Sequence, residues 1–383
     1  MIPYGRQDIS EEDINAVVNV LRSDWLTQGP CVPRFEAALA EYTGASHAIA
    51  VNSATSALHI ACLALGVGPG DWVWTSPNTF VASANCAEYC GANVDFVDID
   101  PETYNMSVTK LEDKLKHARE TKTLPKVVIP VHFSGQSCDM EAIHELSQQY
   151  SFRIIEDASH AIGGRYKGEH VGCCRFSDIS VFSFHPVKII TTAEGGAALT
   201  NDPQLASQLN LYRSHGIIRE NADRRTDGPW QYEQIALGYN YRMTDLQAAL
   251  GISQVNRLDY YIDVRKALAK RYDEKLAGTN WRLPKQQIFQ TSAHHLYVLR
   301  LPNDNIEEKA QCFAYLHDNG IGVNVHYIPV HTQPYYKEKN INYGQLKNSE
   351  QYYKSAITIP LHPRLTHDEQ DYIIQHLKLA LQL

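Results

Sequence analysis

The stretch Ile179-Ser180-Val181-Phe182-Ser183-Phe184-His185-Pro186-Val187-Lys188-Ile189-Ile190-Thr191-Thr192-Ala193-Glu194-Gly195-Gly196-Ala197-Ala198-Leu199 decides how this chain is read. Its first six residues form an apolar run of the length and composition of a buried strand. One lysine follows, then a Gly-Gly turn and a second apolar run. Upstream, Ile154-Ile155-Glu156-Asp157 is another apolar run, and it ends in an acid. An amine and a carboxylate at the ends of buried strands are candidates for chemistry. Singly, each has a plainer reading. A lysine beside a strand ordinarily snorkels to the surface, and Asp157 serves equally as a cap for a helix beginning at Ala158.

Outward from this stretch the pattern is regular. His47-Ala48-Ile49-Ala50-Val51, Trp72-Val73-Trp74-Thr75, residues 94–100, residues 126–131 and residues 152–156 read as short strands. Helical spacing separates them, with Leu58, Ala61, Cys62 and Leu65 on one face, and further helices over 111–117 and 143–150. Residues 78–85 read as the start of a helix with Phe80 in its first turn. The N-terminal helix is announced by Ser10-Glu11-Glu12-Asp13, and the next stops at Gly44. Alternating strands and helices predict a mostly parallel α/β sheet covered on both faces, with ligands at the carboxyl ends of its strands.

After Gly196 helices dominate: one over 205–212, then a polar loop over 219–234 and a long run from Leu246 to Leu276 capped by Thr244. That run is the expected bridge from a large domain, residues 1–245, to a smaller C-terminal α/β domain, residues 246–383. The smaller domain is read as strands over 296–301 and 323–327, helices over 306–319 and 367–379, and loop with short helix over 331–356.

Composition excludes several classes. The 383 residues carry a formal net charge of −8, which gives no basis for nucleic-acid binding. No apolar run approaches the ~20 residues of a membrane span. The first residues lack a signal-peptide pattern, so the chain is expected in the cytoplasm. Eight scattered cysteines include no C-x-x-C pair, and the seventeen histidines include no H-E-x-x-H, so no metal site is expected.

Together the parts suit one chemistry. The start Asn52-Ser53-Ala54-Thr55-Ser56-Ala57 reads either as an ordinary N-cap or as an anion site at a helix N-terminus. With Lys188 to join an aldehyde, Asp157 to pair with a protonated ring nitrogen and Phe80 to cover a ring, the set meets the needs of pyridoxal phosphate.

The motifs at residues 52–58, 156–163, 183–188 and 238–243 resemble the sugar-nucleotide aminotransferases of the DegT/DnrJ/EryC1/StrS family, fold-type I pyridoxal phosphate enzymes, over essentially the whole chain. The resemblance implies that Lys188 is the Schiff-base lysine and proton shuttle, Asp157 the pyridinium partner and His160 the contact to the ring hydroxyl. It implies that Phe80 stacks on the ring, that Ala54, Thr55 and Ser183 hold the phosphate, and that Asn240 reaches it from the other subunit of an obligate homodimer with shared sites. Tyr4, Trp25, His326, Tyr327 and Arg242 fall in segments that resemble substrate contacts. His326 reads equally as a core histidine, and Arg213 and Arg242 equally as solvated surface charges. Many relatives carry Gly where Ala193 stands.

The segments at 2–7 and 72–85 resemble the members that move an amine from L-glutamate to C4 of a UDP-linked 4-keto-6-deoxy-N-acetyl sugar in pseudaminic acid biosynthesis, which serves flagellin glycosylation. The alternatives are amination of another UDP- or dTDP-linked 4-keto-6-deoxy sugar, a 3-dehydratase of the same fold, and a non-enzymatic regulatory protein. The dehydratases carry histidine at the lysine position, which Lys188 argues against.

Overall fold

A computed structural model describes residues 1–219, 228, 230–339 and 341–382. The chain opens with α1 (Glu11–Leu21) and α2 (Cys31–Thr43), then runs β1 (His47–Val51), α3 (Ala54–Ala64), β2 (Trp72–Thr75), α4 (Ala82–Tyr89), β3 (Asn93–Phe96), α5 (Val108–Thr121), β4 (Val127–Ile129), α6 (Met140–Tyr150) and β5 (Arg153–Asp157). Next come β6 (Arg165–Tyr166), β7 (Glu169–His170), β8 (Ile179–Ser183), β9 (Gly196–Thr200), α7 (Pro203–Arg213), β10 (Ile217–Ile218) and β11 (Glu233–Gln234). The remainder is α8 (Asp245–Val255), α9 (Leu258–Leu276), β12 (Gln290–Thr291), β13 (Tyr297–Arg300), α10 (Ile306–Asp318), α11 (Pro334–Glu338), α12 (Lys347–Ser355), β14 (Ala356–Ile359) and α13 (His367–Ala380).

Seven strands form one sheet in the order β1-β9-β8-β5-β4-β2-β3. Six run parallel and β9 alone runs against its neighbours β1 and β8. The sheet is mixed but mostly parallel, as the alternation predicts, and helices cover both faces. One core packs α3, α4 and α7 against the sheet. A second core packs α2, α8 and the first turns of α9 against the same strands, through Phe35, Phe182, Leu258 and Ile262. The rest of α9 joins a third core with α10, α13, β13 and β14, so α9 serves both.

Four readings differ from the structure. The run from Leu246 to Leu276 is two helices, broken at Asn256 and Arg257; neither Gly nor Pro marks the break, and the Arg257 side chain there pairs with Asp8 at 2.5 Å. Residues 323–327 are not a strand, since only Asn324 bridges a neighbour, Thr358 on β14. β14 begins at Ala356, the last residue of the stretch read as loop with short helix, and its remaining three residues carry no reading. Finally, α4 starts at Ala82, which leaves Phe80 before the helix. Asn78, which resembles a cap, instead accepts from the Tyr327 amide at 3.2 Å and donates to the Tyr104 carbonyl at 3.4 Å. The polar loop predicted over 219–234 lies largely outside the described residues; β10, just before it, pairs with β11 at its end. Among the described residues no helix is long and apolar enough to cross a membrane.

Candidate active site

The sheet register builds the site. Gly196 at the start of β9 sits opposite Val51 at the end of β1 and Ser183 at the end of β8. Asp157 ends β5, beside β8. These positions share one edge of the sheet, where a cavity of about 570 Å³ opens. Ala54, Thr55, Phe80, Asp157, His160, Ser183 and Lys188 all line it.

The lysine is held by a tight turn. Pro186 and Val187 occupy its centre, and the Lys188 amide donates to the His185 carbonyl at 2.9 Å. The Phe184 carbonyl accepts from the Thr192 amide and from Thr191 Oγ1, which ties the far side of the loop down. Burial lowers the Lys188 pKa to about 8, with Asp157 pulling the other way. An amine so placed reaches its nucleophilic, neutral form far more readily than a free lysine.

Asp157 is 5% exposed. Each carboxylate oxygen takes one hydrogen bond: Oδ2 from Ser83 Oγ at 2.5 Å, and Oδ1 from the Ser159 amide at 3.1 Å. Ser83 belongs to α4, so a neighbouring helix fixes the acid.

Beside them the Ser53 side chain caps α3 by accepting from the Ser56 amide. The amides of Ala54 and Thr55 lie in the first turn, where a helix has no acceptors of its own, at the positive end of its dipole. Glycine is required at 196: a Cβ there would lie 2.5 Å from the Ala54 nitrogen. The Gly-Gly turn therefore lets the start of α3 press against the strand beside Ser183. This cradle, the anchored carboxylate and the depressed lysine fit the three demands of pyridoxal phosphate.

His160 has a defined tautomer. The Ser134 amide donates to its Nδ1 at 3.3 Å, so the ring proton is on Nε2, 3.1 Å from the Tyr327 hydroxyl. Burial, then Lys188 and His326, keep His160 well below the ordinary histidine pKa, so it is neutral. The Tyr327 ring stacks on it at 24° and lies 6.3 Å from the ring of Phe80, which stands 58% exposed at the cavity edge.

Tyr4, His326 and Tyr327, read as substrate contacts, also line the cavity. His326 is both core and lining: it is 7% exposed, with Nδ1 2.8 Å from Thr358 Oγ1. Three other residues do not reach this chain's cavity. Trp25 is exposed before α2. Asn240 and Arg242 bridge Ser214 and Val51 through their backbones, at the far side of β1. Arg213 is committed elsewhere, to Glu36 at 2.5 Å and to the Ala50 carbonyl. Sequence reasoning missed His295, which is 4% exposed, lines the cavity and packs on His160 with ring centroids 4.5 Å apart. Its only signal is the His294-His295 pair at the mouth of a predicted strand.

Fold and cavity together define a pyridoxal phosphate enzyme of the aminotransferase type. The chain matches the DegT/DnrJ/EryC1/StrS aminotransferase family over residues 7–378 and belongs to that family. It is 39% identical over 374 residues to the UDP-4-amino-4,6-dideoxy-N-acetyl-beta-L-altrosamine transaminase of Campylobacter jejuni subsp. jejuni serotype O:23/36, covering 97% of this chain and 96% of that one. It is 38% identical over 387 residues to the spore coat polysaccharide biosynthesis protein SpsC of Bacillus subtilis, covering 98% and 96%. Among solved structures it superposes on Helicobacter pylori PseC, an aminotransferase involved in the biosynthesis of pseudoaminic acid, with a TM-score of 0.91, 31% identity and coverage of 100% and 99%. The PLP-form of Spr1654 from Streptococcus pneumoniae gives 0.90, 31%, 100% and 98%. The protein is a sugar aminotransferase that uses pyridoxal phosphate.

Proposed function

We propose that this enzyme moves an amino group from L-glutamate to C4 of a UDP-linked 4-keto-6-deoxy-N-acetyl sugar, in pseudaminic acid biosynthesis, as a cytoplasmic homodimer. The observation that carries the chemistry is the meeting of Lys188, Asp157 and the α3 N-terminus in one cavity. The transaminase of Campylobacter supports the substrate. SpsC, at almost the same identity, supports a second reading, amination of another UDP- or dTDP-linked 4-keto-6-deoxy sugar.

When bound, pyridoxal phosphate supplies an aldehyde that joins an amine and a ring that draws electrons from the adjacent carbon. Ala54, Thr55 and Ser183 would hold its phosphate, Asp157 would pair with its ring nitrogen and Phe80 would cover its ring; all of them line the cavity. With the cofactor bound, Lys188 Nζ would take a proton from Cα of the donor and would later return one to C4 of the sugar. The depressed pKa lets the same nitrogen both accept and release a proton near neutrality. Asp157 keeps its orientation through Ser83 and the Ser159 amide. His160, fixed as the Nε2–H tautomer, orients the Tyr327 hydroxyl at the cavity wall. Asn240 and Arg242 complete the partner's site across the dimer, and so does Trp25, two residues before the Thr27–Thr244 bridge.

Turnover of a panel of UDP- and dTDP-linked 4-keto-6-deoxy sugars with glutamate tests the proposal. Preference for a dTDP sugar sinks the substrate assignment and leaves the chemistry standing. A protein that stays colourless with added cofactor, and that borohydride cannot link to it at Lys188, overturns both.

A further inference from the structure

The Asp157 carboxylate is steered by a chain of two hydroxyls. Its backbone is fixed at the sheet edge, where the Asp157 amide donates to the Pro130 carbonyl at 2.9 Å and the Asp157 carbonyl accepts from the His132 amide at 3.0 Å. Those bonds do not set the plane of the carboxylate, because rotation about a bond from tetrahedral to trigonal carbon is broad. The side-chain bonds do. The Ser159 amide, which holds Oδ1, is part of the backbone and cannot turn away. The Ser83 hydroxyl can. Its one proton has two acceptors in reach, Asp157 Oδ2 at 2.5 Å and the Phe80 carbonyl at 3.4 Å. A further oxygen, Thr79 Oγ1, lies 2.7 Å from Ser83 Oγ. Thr79, Ser83 and Asp157 are 2%, 0% and 5% exposed, so water does not compete for these bonds.

Counting protons fixes the direction of the chain. A carboxylate only accepts, so Ser83 Oγ donates to Asp157 Oδ2. Ser83 then has only lone pairs to offer Thr79, and Thr79 donates to Ser83. Threonine suits the place, since its branched side chain is stiff at χ1. The bond is not a helix cap. A cap accepts from a backbone amide, whereas the cap position of α4, Val81, has no side-chain cap bond, and Thr79, two residues earlier, meets a hydroxyl.

We propose that Thr79 is a positioning residue of the transamination: its hydroxyl occupies the accepting side of Ser83, commits the Ser83 proton to Asp157 Oδ2, and so fixes the plane of the carboxylate that would meet the cofactor's ring nitrogen. The proposal rests on the reading of Asp157 as the partner of that nitrogen.

The test measures the affinity of the apoprotein for pyridoxal phosphate and for its 1-deaza analogue, in which C–H replaces the ring nitrogen. Thr79→Val keeps the shape and removes the hydroxyl. It weakens pyridoxal phosphate binding by ~5-fold and leaves the affinity for the analogue unchanged, and Thr79→Ser recovers most of the loss. In a Ser83→Ala background Thr79→Val adds nothing. Equal losses for the two cofactors, no loss for either, or an added loss in the Ser83→Ala background overturns the proposal, because a merely structural role does not distinguish a ring nitrogen from a ring carbon. Asp157→Asn separates the two possible failures. If its loss is also the same for both cofactors, the reading of Asp157 falls; if its loss depends on the ring nitrogen and that of Thr79→Val does not, only the role of Thr79 falls. Should Thr79→Val fail to fold, a neutron structure of the unaltered protein decides alone: a Ser83 deuterium directed at Asp157 supports the chain, and one directed at Thr79 or at the Phe80 carbonyl overturns it.

Discussion

The cavity has two unlike walls. One is made of strand ends and helix starts: Val51 and Ser53, Asp157, Ser183 and Gly196 sit where the sheet register puts them. The other is made of irregular chain from the C-terminal half: His295, Asn324, His326 and Tyr327. Those residues are positioned by single hydrogen bonds and buried cations instead of by a repeating ladder. The fully buried Arg265 grips the carbonyls of His294, His295 and Leu361 through one nitrogen. Tyr352 holds the His326 carbonyl, and Asn78 holds the Tyr327 amide. A ladder spreads the loss of one bond over its neighbours; a peg does not. On the proposed function, the ladder wall carries the chemistry common to every turnover. On the same proposal, the pegged wall faces the sugar nucleotide.

The largest effect expected on the ladder wall is chemical. Lys188→Ala leaves the fold intact and cofactor bound without covalent attachment, while turnover falls by at least ~10³-fold. Retained turnover breaks the reading of this wall. In the wild-type apoprotein, burial lowers Lys188 to about 8. Its capture of added pyridoxal phosphate therefore rises with pH through about 8 and then levels, because the neutral amine reacts. A rise that continues towards the ~10.4 of a free lysine would show an unburied amine.

Next is the peg that reaches across from α4. Ser83→Ala removes the hydrogen bond to Asp157 Oδ2 and leaves that oxygen buried. Hydrogen bonds to charged groups contribute roughly 1.5–3 kcal/mol, so cofactor affinity drops by ~10- to 100-fold. An unchanged cofactor spectrum and affinity would mean that the acid does not need its second anchor.

The two walls were not equally legible. Short apolar runs ending in Val51, Asp157 and Ser183 announce strands, and the parallel pattern places their ends together, so the cofactor side followed from residue types and family motifs. The pegged wall left little local signal. Residues 323–327 alternate like a strand, yet Asn324 turns its side chain on its own neighbour's amide and the segment leaves the sheet to line the cavity. Asn78 has the look of a helix cap and is used as a tertiary tie instead. The break after Val255 is invisible because apolar spacing resumes at Leu258. His295 is placed by Arg265, thirty positions away, and no local pattern encodes that.

Acid separates the walls further. His326 is buried neutral, its pKa lowered to about 3 by burial and then by Lys188. The unfolded chain takes up a proton near ~6.5 and the folded chain does not until about 3, so this contribution to stability is present above ~6.5 and is lost as pH falls. At pH 5 the loss is about 2 kcal/mol for this one residue. The denaturant midpoint falls between pH 7 and pH 5, and His326→Asn flattens that limb. A variant with the same acid limb would show that His326 is not what acid attacks. Tyr327→Phe acts at the same place by another route. It strips the partner from His160 Nε2 and lowers turnover by ~10-fold, with cofactor affinity held.

The smallest effect lies in the backbone. Each wall contains one non-glycine residue in left-handed conformation beside a lining residue: Ala193 at φ 65° in the lysine loop, and His294 at φ 49° before His295. For an alanine that conformation costs roughly 1–2 kcal/mol. Glycine relieves it and returns part of the gain through its freer unfolded chain. Ala193→Gly therefore stabilises the protein by about 0.5–1 kcal/mol. Histidine tolerates the left-handed region better than alanine, and the His294 ring pairs with Gln286 at 3.1 Å. His294→Gly forfeits that contact, so its net effect is about zero or destabilising. Thermal melts of the two variants, read side by side, decide it. If both gain equally, strain alone governs and the side-chain pegs of the second wall contribute nothing; if only Ala193→Gly gains, the loop wall is held by its side chains.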